Sequence, residues 1–198
     1  MIELKNLSKE KPYLIFKEKY LEALESGQKN IEAISVSSFN KNKNEVESRF
    51  VNLKLIENDN FIFFTNYNSP KAISFKSHNQ VSALIYWPLI NTQIRIKAII
   101  EKTPKTFNDK YFNSRCLDKN ALAISSEQSK EIESFDEVVL RFKNAKENLD
   151  LKNCPNYWGG FSLKPYEIEF WEGNKFRLNK RNLYKYLDGV WSHYILQP

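Results

Sequence analysis

Ser69-Pro70-Lys71 places three residue types in an order that suits a phosphate. Serine caps a helix start, and proline is tolerated at the first helical position. The first turn leaves N–H groups free and carries partial positive charge, to which the lysine adds a full one. An ordinary capped helix with a solvated lysine fits the same letters. Arg49 and Lys54 are five apart, on opposite faces of an ideal strand, so they can meet two different ligands. They equally read as charges that guard a sheet edge. Tyr111 and Arg115 are four apart, on one helical face, where a hydroxyl and a guanidinium fork suit a second phosphate. Gln93 and Arg95 share a strand face, and a glutamine amide can bond the carbonyls and nitrogens of a planar heterocycle. Gln128-Ser129 offers an amide and a hydroxyl; both pairs also read as solvent-facing polar residues. Trp171 can cover an apolar ring or pack in a core. Arg177, Asn179 and Arg181 fall on alternate positions, so a strand there would aim all three at one cavity.

The elements that must position these residues follow from the hydrophobic period. Tyr13, Phe16, Tyr20 and Leu24 recur at helical spacing, which predicts a helix over about 12–26, ended by Gly27. Residues 1–11 are polar and are expected to be loosely held. Strands are expected over Ile31–Phe39 and from Val51, with a turn at Glu57-Asn58-Asp59 and a return strand over Asn60–Thr65. Ser69-Pro70 opens a short helix, then Gln80–Trp87 and the alternation about Ile94, Ile96, Ala98 and Ile100 give two more strands. Lys105–Arg115 and Lys119–Gln128 read as helices. Ser134-Phe135-Asp136-Glu137 is a capping box that predicts a helix of about three turns. After Pro155 the pattern returns to strand, with turns at Glu172-Gly173-Asn174 and Asp188-Gly189. Many strands joined by short turns, with helices inserted, predict a mainly β, α+β domain built on an antiparallel barrel.

Composition narrows the function classes. The 198 residues suggest one domain, with residues 1–27 as an N-terminal helical flank. Fourteen Phe, ten Tyr and four Trp are ample for a core. The net charge of +6 attracts anions such as phosphorylated metabolites, but no basic run or nucleic-acid motif appears. Two cysteines and two histidines, with no ligand spacing, argue against a disulfide framework and a metal site. The N-terminus lacks the apolar core of a signal peptide, and no stretch reaches the ~20 apolar residues of a membrane helix. A cytoplasmic protein is expected, with no membrane and no nucleic acid among its partners.

Five segments in order carry a family resemblance: Arg49-Phe50-Val51-Asn52-Leu53-Lys54; Phe63-Phe64-Thr65-Asn66 with Ser69-Pro70-Lys71-Ala72; Gln93-Ile94-Arg95; Gln128-Ser129; and Phe170-Trp171-Glu172-Gly173 with Arg177-Leu178-Asn179-Lys180-Arg181. Over roughly residues 30–198 the chain resembles the pyridoxamine 5'-phosphate oxidase family. The resemblance implies an FMN-binding split β-barrel that works as a homodimer. It implies FMN contacts from Arg49, Phe50, Val51, Lys54, Phe64, Thr65, Lys71, Gln93, Gln128, Ser129, Trp171 and Arg181, with Gln128-Ser129 reaching in from the second subunit. It implies a phosphorylated substrate held by Lys54, Tyr111, Arg115, Lys119, Arg177 and Asn179, the last two at the reacting centre. FMN rather than FAD is expected, since no spaced-glycine dinucleotide fingerprint occurs.

Four positions depart from the family pattern. Phe64 stands where tyrosine is common, Pro70 where arginine is usual, Lys119 in place of a serine, and Asn179 in place of the histidine of Arg-Leu-His. The activity implied is oxidation of pyridoxamine or pyridoxine 5'-phosphate to pyridoxal 5'-phosphate, with molecular oxygen reoxidising the flavin. The alternatives are a related FMN oxidase of the phenazine-biosynthesis type, and a non-catalytic flavin- or pyridoxal-phosphate-binding protein.

Overall fold

The helix α1 (Lys11–Glu25) buries Tyr13, Phe16, Tyr20 and Ala23 along one stripe, at the spacing the sequence shows. Gly27 follows in the left-handed region, φ 77°, where a side chain is costly, so the helix stops there. In this computed structural model, which describes residues 1–198, the segment before α1 is not loose. Ile2 is buried, its N–H donates to the Tyr20 hydroxyl at 2.8 Å, and β1 (Glu3–Lys5) pairs in parallel with β4 (Leu55–Glu57). Polarity alone hid this, because Ile2 and Leu4 are too few to make a pattern.

The remaining strands are β2 (Ala33–Asn40), β3 (Glu45–Asn52), β5 (Asn60–Asn66), β6 (Gln80–Trp87), β7 (Thr92–Lys102), β8 (Trp158–Glu172), β9 (Lys180–Leu187) and β10 (Val190–Ile195). They form one mixed sheet in the order β1-β4-β5-β8-β7-β6-β2-β3, with β9 on β8 and β10 on β9. Apart from β1 with β4, every pair is antiparallel. The sheet does not close on itself: β1 and β3 are its ends. The class is α+β, as expected. Inward residues of β2, β6 and β7, among them Ile34, Val36, Ile85, Trp87, Ile94 and Ile96, meet α1 and Phe61 in the core. Each such side chain is worth about 1.5–3 kcal/mol when fully buried.

β8 is longer than the alternation suggested, because its opening Trp158-Gly159-Gly160-Phe161 is buried on both faces and hides the period-two signal. It pairs with β7 from Phe161 to Glu172, and its other edge serves β5 first and β9 afterwards. A bulge sits between these halves: Lys97 faces Glu167 while Ala98 faces Pro165, so Tyr166 is the extra residue. Proline cannot donate to the ladder and suits such a point.

Four shorter helices complete the chain: α2 (Pro70–Ser77), α3 (Lys105–Ser114), α4 (Leu117–Ser125) and α5 (Phe135–Asn148). Half of the capping box forms: the Ser134 hydroxyl accepts from the Glu137 N–H at 3.2 Å, while the Glu137 carboxylate turns to Arg141 instead of back to Ser134. The strand expected across Arg177 and Asn179 does not form. Asn174 Oδ1 accepts from the Lys175 N–H at 2.6 Å and starts a 3₁₀ turn, Lys175–Arg177, in which Phe176 and Arg177 take φ 58° and 61°. The β9–β10 hairpin turns at Asp188-Gly189, φ 50° and 84°, as the dipeptide predicts.

Candidate active site

Two cavities share a wall made of Phe50, Lys71 and Gln128. The larger, about 680 Å³, also receives Val51, Lys54, Phe64, Thr65, Tyr111, Arg115 and Lys119. The smaller, about 530 Å³, receives Arg49 and Ser129. Most of the residues singled out in the sequence therefore come together. Arg49 and Lys54 do reach different cavities, though not by strand alternation alone: β3 ends at Asn52, and Lys54 lies in the break before β4.

Lys71 enters from the first turn of α2 and is buried. Its Nζ donates to Thr65 Oγ1 at 3.3 Å and Ser69 Oγ at 3.2 Å, both neutral acceptors. Burial lowers its pKa to about 8, with Arg49 pushing the same way and Glu47 opposing. Ser69 does not cap α2 with its side chain; its hydroxyl donates to the Asn66 carbonyl instead, at 2.7 Å. Arg49 is committed: Nη1 donates to the Val36 carbonyl at 3.2 Å and Ser38 Oγ at 2.8 Å, and Nη2 to the Glu47 carboxylate at 2.6 Å. Gln128 Oε1 accepts from Thr65 Oγ1 at 2.9 Å and from the Asn66 N–H at 3.3 Å. The resemblance implied that Gln128-Ser129 reaches in from a second subunit; within a single chain Gln128 already meets Thr65 and Asn66. Gln128 and Ser129 both line cavities of their own chain, because the connection after α4 folds back over β5.

The far end of the large cavity is cationic. Lys54, Arg115 and Lys119 line it together. Burial lowers the Lys54 pKa first, Lys119 and Arg115 lower it further, and Glu32 opposes them. Arg115 follows α3, and burial lowers its pKa also. Its Nη2 donates to the Lys119 carbonyl at 3.0 Å, whereas Nη1 is buried without a partner. Tyr111 stacks on Phe64, centroids 3.7 Å apart and 3° from parallel, and Phe64 stacks in turn on Trp158 at 5.2 Å. Phe64 thus uses a ring face where the family more often has a phenol. Trp158 was not singled out in the sequence. The signal was Trp158-Gly159-Gly160: side chains at these glycines would strike the Tyr67 hydroxyl, Asn108 and Thr103.

Gln93, Trp171 and Arg181 line neither cavity. They are register neighbours across β7, β8 and β9. On the same outward rows Glu169, buried, accepts from Arg181 Nε at 2.7 Å and pairs with Arg95 at 3.5 Å. Gln93 Oε1 accepts from Arg95 Nη2 at 3.3 Å. Arg177 and Asn179 lie apart from both cavities too, so the common strand face expected with Arg181 is corrected: Arg177 is exposed in the 3₁₀ turn, and Asn179 Oδ1 accepts from the Asn174 N–H at 3.2 Å. No group of three His, Cys, Asp or Glu residues is placed to hold a metal ion.

A relative from Hydrogenovibrio crunogenus, pyridoxine/pyridoxamine 5'-phosphate oxidase 1, is 36% identical over 180 residues, covering 89% of this chain and 83% of the relative. The chain belongs to the pyridoxine/pyridoxamine 5'-phosphate oxidase family. The Colwellia psychrerythraea pyridoxine/pyridoxamine 5'-phosphate oxidase is 34% identical, over 94% of this chain and 87% of the relative. Residues 158–198 match the family profile described as the pyridoxine 5'-phosphate oxidase C-terminal dimerisation region. In fold, the chain superposes on PhzG from Burkholderia lata, solved with tetrahydrophenazine-1-carboxylic acid, with a TM-score of 0.89 at 24% identity, covering 95% of this chain and 93% of that one. A pyridoxamine 5'-phosphate oxidase-related, FMN binding protein from Nostoc punctiforme gives 0.77 at 14% identity, covering 96% and 99%.

Proposed function

We propose that the protein is an FMN-dependent oxidase that converts pyridoxamine or pyridoxine 5'-phosphate to pyridoxal 5'-phosphate. The observation that carries this reading is two separate cationic places in adjoining cavities, Lys71 with Arg49 and Lys54 with Arg115 and Lys119. A cofactor phosphate and a substrate phosphate need two such places. The residues fit FMN: Lys71 is a buried cation whose hydrogen-bond partners are both hydroxyls, and a phosphate dianion would satisfy it. Arg49, Phe50, Val51, Thr65, Gln128 and Ser129 would hold the rest, with Phe64 as an aromatic wall. When bound, FMN supplies hydride acceptance, and molecular oxygen restores it.

The chain's own part is binding and orientation. Lys54, Arg115 and Lys119 fix the substrate phosphate, and Tyr111 borders it. Clamping both phosphates turns an encounter into a positioned step. Gln93, Trp171 and Arg181 would complete the site from a second copy. Support comes from their place on an outward sheet face with Tyr86 and Leu84, both exposed, and from the dimerisation profile. Arg177 and Asn179 sit in the turn beside that face and would meet the substrate there. The sheet reads as a split β-barrel, supported by β3 curling back to approach β5 although they lie far apart in strand order. We read residues 1–198 as one FMN-binding unit. Both cysteines are free, and no helix is long and apolar enough to cross a membrane, in keeping with a cytoplasmic place.

A second reading, an FMN oxidase for another metabolite, is favoured by Pro70, Lys119 and Asn179. One experiment separates the two. Purified protein should show a flavin spectrum and release hydrogen peroxide with pyridoxamine 5'-phosphate. A flavin spectrum with no peroxide would leave the second reading standing; no flavin would end both.

A further inference from the structure

We propose that Trp158 is a positioning residue for Arg115: its indole face holds the guanidinium so that the in-plane N–H edge stays free for an anion. The proposal rests on the reading of Arg115 as a substrate-phosphate group. Of the arginines at the sites described, Arg177 is exposed in its turn, and Arg49, Arg95 and Arg181 already have protein partners. Arg49 is bonded to Val36, Ser38 and Glu47. Arg181 is bonded to Glu169 and to the Gln197 carbonyl. Arg115 makes a single protein hydrogen bond, Nη2 to the Lys119 carbonyl at 3.0 Å. A guanidinium has five N–H donors, so the rest of its edge is uncommitted.

A half-buried cation with an unpartnered nitrogen is costly, and something must offset the loss. The structure places aromatic faces there and no carboxylate. The guanidinium carbon lies 4.4 Å from the Trp158 centroid and 5.4 Å from that of Phe112. Tryptophan is the strongest of the three aromatic partners for a cation, and arginine stacks on it through its face. A carboxylate at this spot would hold the same charge by its edge and would compete with a phosphate. A ring holds it without occupying the donors. Trp158 is itself fixed: it is 5% exposed, Phe112 meets it edge-on at 5.0 Å, and Phe64 stacks on it. The fixed ring therefore transmits the rigidity of β8 to a side chain that enters from the end of α3.

The test is a double-mutant cycle read by binding, with FMN-loaded protein and 4-deoxypyridoxine 5'-phosphate, which lacks the oxidisable substituent. Trp158→Met, which fills space without a ring, should weaken the analogue about tenfold in the native background and less than twofold in Arg115→Ala. Trp158→Phe should keep affinity within about threefold. Should Trp158→Met fail to hold FMN, fluorinated tryptophan replaces it: ring fluorination weakens the π face with little change in packing. Affinity should then fall with the degree of fluorination in the native protein and stay level in Arg115→Ala. Equal losses with and without Arg115 would overturn the proposal alone. An analogue that never binds FMN-loaded native protein would overturn the substrate reading and this proposal together.

Discussion

Lys71 is pulled two ways by its surroundings. Burial favours the neutral amine, and a phosphate would favour the ammonium. Its folded pKa of about 8 lies below the usual 10.5. Between those values the unfolded chain holds the extra proton, so stability rises with pH through that window. FMN affinity should run in the opposite direction, falling from pH 7.5 to 9.5 as the amine loses its charge. Lys71→Ala should weaken FMN by about 1.5–3 kcal/mol at pH 7 and flatten the pH profile, as read by flavin fluorescence titration. An unchanged profile would remove Lys71 from the cofactor site. Arg177 is assigned by the proposal to the other ligand. Arg177→Ala should lower turnover while the flavin spectrum is retained, and loss of flavin together with rate would reassign it. Asn179 carries no titratable charge where the family has histidine. Asn179→His should raise peroxide production on pyridoxamine 5'-phosphate by about tenfold, or ~1.4 kcal/mol. Lys71 and Arg115 could be singled out in the sequence because charge and spacing suffice to nominate a cation. The bonds of Gln128 to Thr65 and Asn66 could not, because they join residues some 60 apart in the chain.

At the scale of elements, local signals were read well wherever one dipeptide or one period decides the backbone. The N-cap at Ser134 and the hairpin at Asp188-Gly189 are of that kind. Errors fell where a side chain competes with the ladder. Asn174 captures the Lys175 N–H and diverts residues 175–177 into a turn, so alternation across Arg177 and Asn179 was misleading. The start of β8 shows a stronger constraint than period. Gly159 and Gly160 pass against a buried network in which Asn108 donates to the Tyr67 hydroxyl at 3.1 Å and accepts from the Gly160 N–H at 2.9 Å. Gly159→Ala would drive a methyl into that network. It should cost about 1–3 kcal/mol of stability, seen as a lower thermal midpoint, and should disturb Trp158 next to it. A midpoint equal to that of the native protein would show that the network yields at no cost.

At the scale of the whole molecule, the residues assigned to one site lie on two surfaces of the chain, and a second copy would reunite them. Lys71→Ala and Trp171→Ala should each lose flavin oxidase activity, because each damages one half of every site. Subunits mixed and reassociated should regain about a quarter of the native sites, since half the dimers are hybrids with one intact site of two. No recovery on mixing would confine each site to a single chain. The bulge at Tyr166 decides which β8 side chains the second of these surfaces carries. A strand has a parity: odd and even positions look to opposite sides. Before the bulge the odd residues Phe161 and Leu163 point into the core; after it the even residues Ile168 and Phe170 do. One surplus residue has changed the parity of the chain. Were Tyr166 to take an ordinary place in the ladder instead of bulging, Trp171 and Glu169 would turn inward, and Ile168 and Phe170 would be thrown out to solvent. The bulge takes up the surplus residue, so the row proposed as the second half of the site keeps its place on the outward face.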